Sequence, residues 1–362
     1  MADVRPFRAV RYDEAAAGPL ETLVAPPYDV ISPAERDELA ERSPYNVVHL
    51  TLPETEEQSA RDLASWQEQD VLVEDAEPSV WALQQEYVGP DGVARSRRGL
   101  LASLRVEPYE RRVVLPHERT HAGPKEGRLR LLRATGMQLE PIFLLYDGAA
   151  PFAPPERAPD LDVAGARMWR LDDAGAVSAF FADRELLIAD GHHRYETALA
   201  FAAERGTQES ARMPVVLVST EDPGLTIFPT HRLFAEGWSR ASVAAAERMP
   251  NVEAGLAELE RQPYERSAAL LYGRNGTVLL TGGEGELDVQ LVDRLGREAT
   301  SYTPSWGEGV ALVDRGEAGG AALLRPTRIE DVFAVARRGE VLPQKSTYFF
   351  PKLLSGLIFH PV

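Results

Sequence analysis

The sequence predicts a mixed α/β (α+β) protein, and three observations carry that prediction. Over residues 110–235, short apolar runs of strand length alternate with segments of helical spacing. A Gly-Pro-Asp-Gly cluster at 89–92 separates two strand-like runs and signals a hairpin. Residues 186–199 read Leu-Leu-Ile-Ala-Asp-Gly-His-His-Arg-Tyr-Glu-Thr-Ala-Leu, an apolar run that passes through one glycine straight into a helical pattern. A length of 362 residues suits two or three domains. The expected division is an N-terminal α/β region at 1–110, a central module at 111–235 and a C-terminal α/β region with a docking tail at 236–362.

Taken in order, Phe7–Tyr12 and Val47–Leu52 read as strands, and Arg61–Val73 as a helix with Leu63, Trp66 and Val71 apolar. Ala25–Pro33 carries three prolines, so it is neither an ordinary helix nor a central strand. It is a stiff loop, and Ser32 and Pro33 fit an N-cap and a first helical position. Val80–Val88 and Gly99–Val106 are the two arms of the hairpin. A strand end at Val113-Val114, a helix at Leu129–Ala134 and a strand at Pro141–Tyr146 follow. Ala149–Pro159 is a Pro/Ala-rich loop insertion. After the 186–199 junction, Pro214–Ser219 is a strand, and Leu225–Phe228 is strand-like and leads to a pocket edge at Pro229-Thr230-His231-Arg232. Ala241–Arg248 reads as a helical start, Leu270-Leu271 and Val278–Leu280 as strands, and Glu330–Arg338 as a helix. Leu342–Val362, rich in Pro, Phe and Gly, should pack as a tail over another element.

Composition removes several function classes. The chain has no cysteine, which excludes disulfides, Cys-ligated zinc, iron–sulfur clusters and thiol catalysis. A net charge of −17 opposes binding to a nucleic-acid backbone, so neither DNA nor RNA is expected as a partner. The N-terminus has no apolar signal-like stretch and no run is long enough to span a bilayer, so a cytoplasmic protein without a membrane partner is expected.

The 190–194 turn is the strongest candidate site. The first N–H groups of a helix lack internal partners and sit at the positive end of its dipole, which favours an anion. Gly191 lets backbone approach a ligand, Arg194 offers a planar fork to phosphate oxygens, and His192 and His193 add donors. Asp190 is either a site carboxylate, with Mg²⁺ bridging it to phosphates, or simply the helix N-cap. A second constellation is Leu115-Pro116-His117-Glu118-Arg119-Thr120-His121. Glu118 fits a general base and His117 an acid/base partner, with His193 a further catalytic candidate. His117 and His121 stand four apart, but the prolines around them argue against a helix that would join them on a metal. Gly123–Arg128 superficially resembles a phosphate loop without its Gly-Lys-Ser/Thr ending; it either brings Lys125 and Arg128 to an anion or is an exposed basic loop. Tyr28-Asp29 is a loop pair in which Asp29 is a site carboxylate or a turn former. The tail segment Leu342–Lys352 either closes a pocket with Lys345 toward phosphate or docks by its aromatics alone.

Ala25–Ile31, Leu115–Glu118, Asp190–Tyr195 and Gln344–Lys352 together resemble domain-of-unknown-function family 1015, from about residue 5 to the C-terminus. Residues 113–218 also resemble the ParB/sulfiredoxin superfamily module, through Leu139–Phe143 as its Pro-Ile strand and Gly191–Arg194 as its phosphate turn. That resemblance implies a central ParB/sulfiredoxin-like module flanked by the two α/β regions. At the turn it is closest to free-serine kinases of that superfamily, where an Asp-Gly-His-His-Arg turn holds nucleotide phosphates and a carboxylate acts on the serine hydroxyl. By position Glu118 is that carboxylate. The sulfiredoxin cysteine is absent, so that activity is excluded, and the acidic balance argues against ParB-like partitioning.

The leading expectation is therefore an ATP- or ADP-dependent phosphotransferase using Mg²⁺ on a small hydroxyl metabolite, free serine first, or the same reaction reversed. A nucleotide sensor without turnover and an interaction module with a vestigial turn are the rivals. A homodimer is left open.

Overall fold

The computed structural model describes residues 1–118, 122–150, 152–238 and 246–362. Its architecture follows from the strand Ile142–Tyr146, which is buried at every position. A strand with no polar face needs packed layers on both sides. The sheet around it holds nine strands among the described residues, and the main path runs Val114–Leu115, Leu186–Asp190, Ile142–Tyr146, Arg212–Ser219, Ala94–Arg105, Val80–Val88, Ala166–Leu171 and Leu161–Val163. Val4–Arg5 pairs alongside Ala94–Arg105. The sheet is mixed: Leu186–Asp190 runs parallel to Val114–Leu115 and antiparallel to Ile142–Tyr146. It draws strands from both sides of residue 110.

Strand alternation sends successive side chains to opposite faces. Leu186, Ile188, Leu144 and Leu217 pack against Val177, Phe181, Tyr195 and Ala198 of the helices Ala174–Phe181 and His192–Arg205. Leu187, Phe143, Leu145 and Val216 meet N-terminal residues such as Leu23 and Val47, and the tail residues Phe349 and Phe359. A second, antiparallel sheet, of six strands among the described residues, lies within residues 231–323, with Arg266–Gly273 and Gly276–Glu284 as its central hairpin. The chain then returns to the first sheet. The helix Ile329–Arg337 packs on it, Tyr348–Phe350 pairs with Thr226–Phe228, and His360–Pro361 pairs with Met137–Gln138. No helix among the described residues is long and apolar enough to cross a membrane.

The fold class, the hairpin and the strand–turn–helix junction match the sequence expectations. Ser32 caps the helix Pro33–Arg42 in a reciprocal box with Glu35, with Pro33 in its first turn. Val47–Leu52 departs from expectation: Val48–Thr51 is a short helix, not a strand. Asn46 decides this. It is fully buried, its amide donates to the carbonyl of Thr22 at 2.8 Å, and its Oδ1 accepts from the Val48 N–H at 3.0 Å. A side chain that satisfies the first turn from inside outweighs β-propensity. The helix expected at Arg61–Val73 starts earlier and spans Glu56–Glu68, because Thr55 caps it. Leu72–Glu74 instead pairs with Val10–Tyr12, the part of Phe7–Tyr12 that is a strand. Of the expected helical start at Ala241–Arg248, residues 241–245 lie outside the described residues, and Glu247–Met249 is a strand.

Asn46→Ala should strand the Thr22 carbonyl and the Val48 N–H in a dry environment. We expect a loss of about 2 kcal/mol in denaturant unfolding. A change within a few tenths would show that this turn forms without its internal cap.

Candidate functional site

Parallel pairing of Val114–Leu115 with Leu186–Asp190 brings both strand ends to one edge of the sheet. His117 and Glu118 therefore stand beside the 190–194 turn, as the sequence order suggested. The His117 backbone N–H donates to Nε2 of His192 at 3.3 Å, and the two rings meet edge to face at 4.7 Å. His117 Nδ1 lies 2.7 Å from the Ile188 carbonyl, which only accepts, so Nδ1 carries the proton. Its Nε2 then accepts from the Thr347 hydroxyl at 3.0 Å. Both imidazoles are held neutral: burial pushes His117 down to about 4 and His192 well below its ordinary value.

The turn is built by a bulge and a glycine. The pairing register slips between Ile188 and Asp190, which re-aims the end of the strand. Gly191 follows at φ +100, and a Cβ there would lie 2.5 Å from Cγ2 of Ile142. Only glycine meets both conditions. Gly191 also serves as the N-cap of His192–Arg205, which no side chain caps. The simple alternative for Asp190, a helix N-cap, is thus not realised.

Asp190 instead lies between two cations. Its Oδ2 accepts from Nη2 of Arg194 at 2.8 Å, and its Oδ1 pairs with the Lys352 ammonium. Burial pushes this carboxyl up, but the charges of Lys352 and Arg194 outweigh it and hold it below the ordinary carboxylate range. Two cationic heads leave Asp190 unsuited to a divalent cation, so its expected role as a Mg²⁺ ligand does not fit this geometry. Among the described residues, no group of three or more His, Asp or Glu gathers to hold a metal. Arg194 departs from its expected role too. It is buried, and Nη1 donates to the Pro141 carbonyl at 2.6 Å. With its other bond on Asp190, it braces the turn against the neighbouring strand.

These groups line a cleft of about 550 Å³. Its floor is the turn and Glu118, and its sides are the Tyr28–Val30 loop and the tail from Gln344 to Lys352. The far wall, Thr230 and Tyr302–Pro304, belongs to the region of the second sheet. Burial raises the Glu118 carboxyl above its ordinary value, against a backbone hydrogen bond from Lys345. Lys345 sits at φ +53. The Thr230 hydroxyl is buried with no hydrogen-bond partner among the described residues.

His193 and Lys345 line the cleft as expected. Lys125 and Arg128 do not. Lys125 pairs with Glu196 at 3.2 Å, and Arg128 donates to the Thr51 carbonyl at 2.7 Å and lies 4.0 Å from the Tyr28 ring centre. They sit on the helix Ala122–Thr135, whose packing against neighbouring helices claims their heads. His121 lies outside the described residues, and both ring nitrogens of His117 are already engaged. Sequence reasoning missed Lys352 and Thr347 as site residues. Their signal was the tail segment itself, which mixes donors with aromatics.

A family model described as a protein of unknown function, DUF1015, matches residues 4–296. The chain belongs to the DUF1015 family. None of the curated proteins compared with it matches. Among solved structures it is similar to a free serine kinase in complex with AMP, at 18% identity and a TM-score of 0.41, covering 68% of this chain and 89% of that one. A conserved hypothetical protein from Pyrococcus furiosus gives 18% identity and 0.39, covering 68% and 92%. SbnI with a C-terminal truncation, from Staphylococcus aureus, gives 13% and 0.39, covering 70% and 85%. Overlap of that degree leaves the DUF1015 site to be read from its own residues.

Two outcomes follow for this DUF1015 chain. Gly191→Ala should cost about 2 kcal/mol or more, from backbone strain and overlap with Ile142; unfolding midpoints decide, and an unshifted midpoint would show that the turn tolerates a Cβ. The second concerns acid. His117, His231 and His360 are each lowered by burial from 6.5 to about 4. Unfolded, they take up protons below 6.5, while folded they resist until about 4. Their contribution is thus full above 6.5 and is lost as pH falls toward 4. Melting temperature should drop steeply across that window, and His231→Asn should flatten the drop.

Proposed function

We propose that the cleft binds nucleotide phosphates at the start of His192–Arg205 and transfers a phosphoryl group to a small hydroxyl metabolite, with free serine the first to test. The observation that carries this reading is the meeting, in one cleft, of a helix start without a side-chain cap, a lysine ammonium and a half-buried carboxyl. Helix-start N–H groups and Lys352 suit phosphate oxygens, and Lys345 offers a second ammonium from the same tail. Arg194 acts indirectly, by fixing Asp190 and so the place of Lys352.

Phosphoryl transfer asks mostly for alignment and charge neutralisation. The acceptor oxygen forms its bond to the terminal phosphorus of the donor as that phosphorus loses its bridging oxygen, and ADP leaves where ATP is the donor, or AMP where ADP is. Glu118 takes the acceptor's hydroxyl proton. Its raised affinity for protons suits that task and equally suits the reverse direction, in which the protonated acid gives its proton to the leaving oxygen of the metabolite.

Calorimetric titration with ADP, ATP and CTP, and a transfer assay with serine and other hydroxyl metabolites, test this reading. Lys352→Ala should weaken nucleotide binding by about 10-fold to 100-fold, as expected for a lost charge-assisted hydrogen bond. Glu118→Gln should keep binding while turnover falls by about 10²–10⁴. Activity should decline as pH falls through a value above the 4.5 of an ordinary glutamate, and that limb should vanish in Glu118→Gln. Binding with no turnover of any metabolite would favour a sensor, and absence of nucleotide binding would end the proposal.

A further inference from the structure

Arg97 is a guanidinium in a place where a charge is costly. It lies on Ala94–Arg105, inside the main sheet, and is 1% exposed. Burial pushes it down to about 10, so it remains cationic at neutral pH. Nη2 donates to Oε1 of Gln85 at 2.6 Å and to the Pro351 carbonyl at 2.8 Å. Gln85 is its direct cross-strand partner in the pairing register. Nε and Nη1 have no hydrogen-bond partner among the described residues. Its guanidinium carbon lies 4.5 Å from the Phe143 ring centre, and Phe143 meets Phe349 edge to face at 5.8 Å. The tail is thus held by Phe349 and Pro351 on this face of the sheet. The next residue is Lys352, whose ammonium pairs with Asp190.

We infer that Arg97 is a positioning residue: by holding the Pro351 carbonyl, it sets where the Lys352 ammonium stands over Asp190 at the phosphate turn. The buried cation makes its hydrogen bonds to Gln85 and Pro351, neither of which lines the cleft, and it reaches the chemistry through one peptide unit. A neutral side chain of similar size would fill the space but would release that carbonyl. The functional consequence rests on the reading that Lys352 faces nucleotide phosphates. The geometric consequence does not.

The test is a double-mutant cycle on the full chain, with ADP as probe and circular dichroism and melting to confirm folding. Arg97→Met and Lys352→Ala should each weaken ADP binding about tenfold, and the double variant should bind no worse than Lys352→Ala alone. Additive losses, or unchanged affinity in Arg97→Met, would overturn the inference. Where Arg97→Met does not fold, Arg97→Lys replaces it, since it keeps the charge and one donor; an affinity between wild type and Lys352→Ala is expected, and wild-type affinity overturns the inference. A second readout is independent of nucleotides. Acetylation of Lys352 by acetic anhydride, followed by mass spectrometry, should run severalfold faster in the Arg97 variant. Where Lys352→Ala leaves ADP binding unchanged, the affinities defeat only the phosphate reading and labelling alone decides the positioning role, which faster labelling upholds. Unchanged labelling would defeat the positioning role itself.

Discussion

Asp190 carries one cation on each oxygen, and the cleft is assembled around that arrangement. Arg194 reaches it from the first turn of the helix that follows, and Lys352 from the tail segment. A buried carboxylate with a single partner would be destabilising, and one with two well-placed donors is satisfied. The pair does more than neutralise charge. Through Arg194 the turn is tied to the Pro141 carbonyl, and through Lys352 to the tail, so two distant segments are held in register with the strand end. Burial alone would protonate this carboxyl. The cations keep it charged, and the charge keeps the cations in place.

Sterics at Gly191 and the neutral histidines extend the same constraint. The bulge before Asp190 and the positive φ of Gly191 turn the chain sharply enough for a helix to start against Ile142. His117 and His192 then occupy space where a further positive charge would meet Lys352 and Arg194. Dry surroundings and fixed acceptor roles keep both rings uncharged. Positive charge in the cleft is thereby concentrated on lysines, whose ammonium groups turn to suit a ligand.

How much of this was legible in the sequence depended on range. The strand, glycine and helix at 186–205 lie within one local segment, where apolar spacing and turn chemistry speak directly. The neighbouring places of Glu118 and the turn were legible too, because two strand ends carrying polar clusters suggested one sheet edge. Partners distant in sequence were not. A guanidinium beside a glycine turn looks like a phosphate ligand until the Pro141 carbonyl, 53 residues away, is seen to occupy it. Lys352 is 162 residues from Asp190 and arrives beside it on a tail whose Tyr348–Phe350 pairs with Thr226–Phe228. Val47–Leu52 misled for a related reason: its β-like composition was overruled by one buried asparagine bonded to a loop 24 residues earlier.

The tail deserves to be regarded as part of the site rather than a cover for it. Thr347 bonds His117, the Lys345 backbone bonds Glu118, and Lys352 bonds Asp190, so each polar element of the strand edge is completed by this one segment. The hydrophobic grip of Phe349 and Phe359 supplies most of the docking, since apolar burial is strong but undirected. Direction comes from the polar contacts, which fix the segment to within hydrogen-bond tolerance. A segment bound in both ways is fixed in position as well as in place. This is the property a site needs when its cations come from one end of the chain and its carboxylates from the middle.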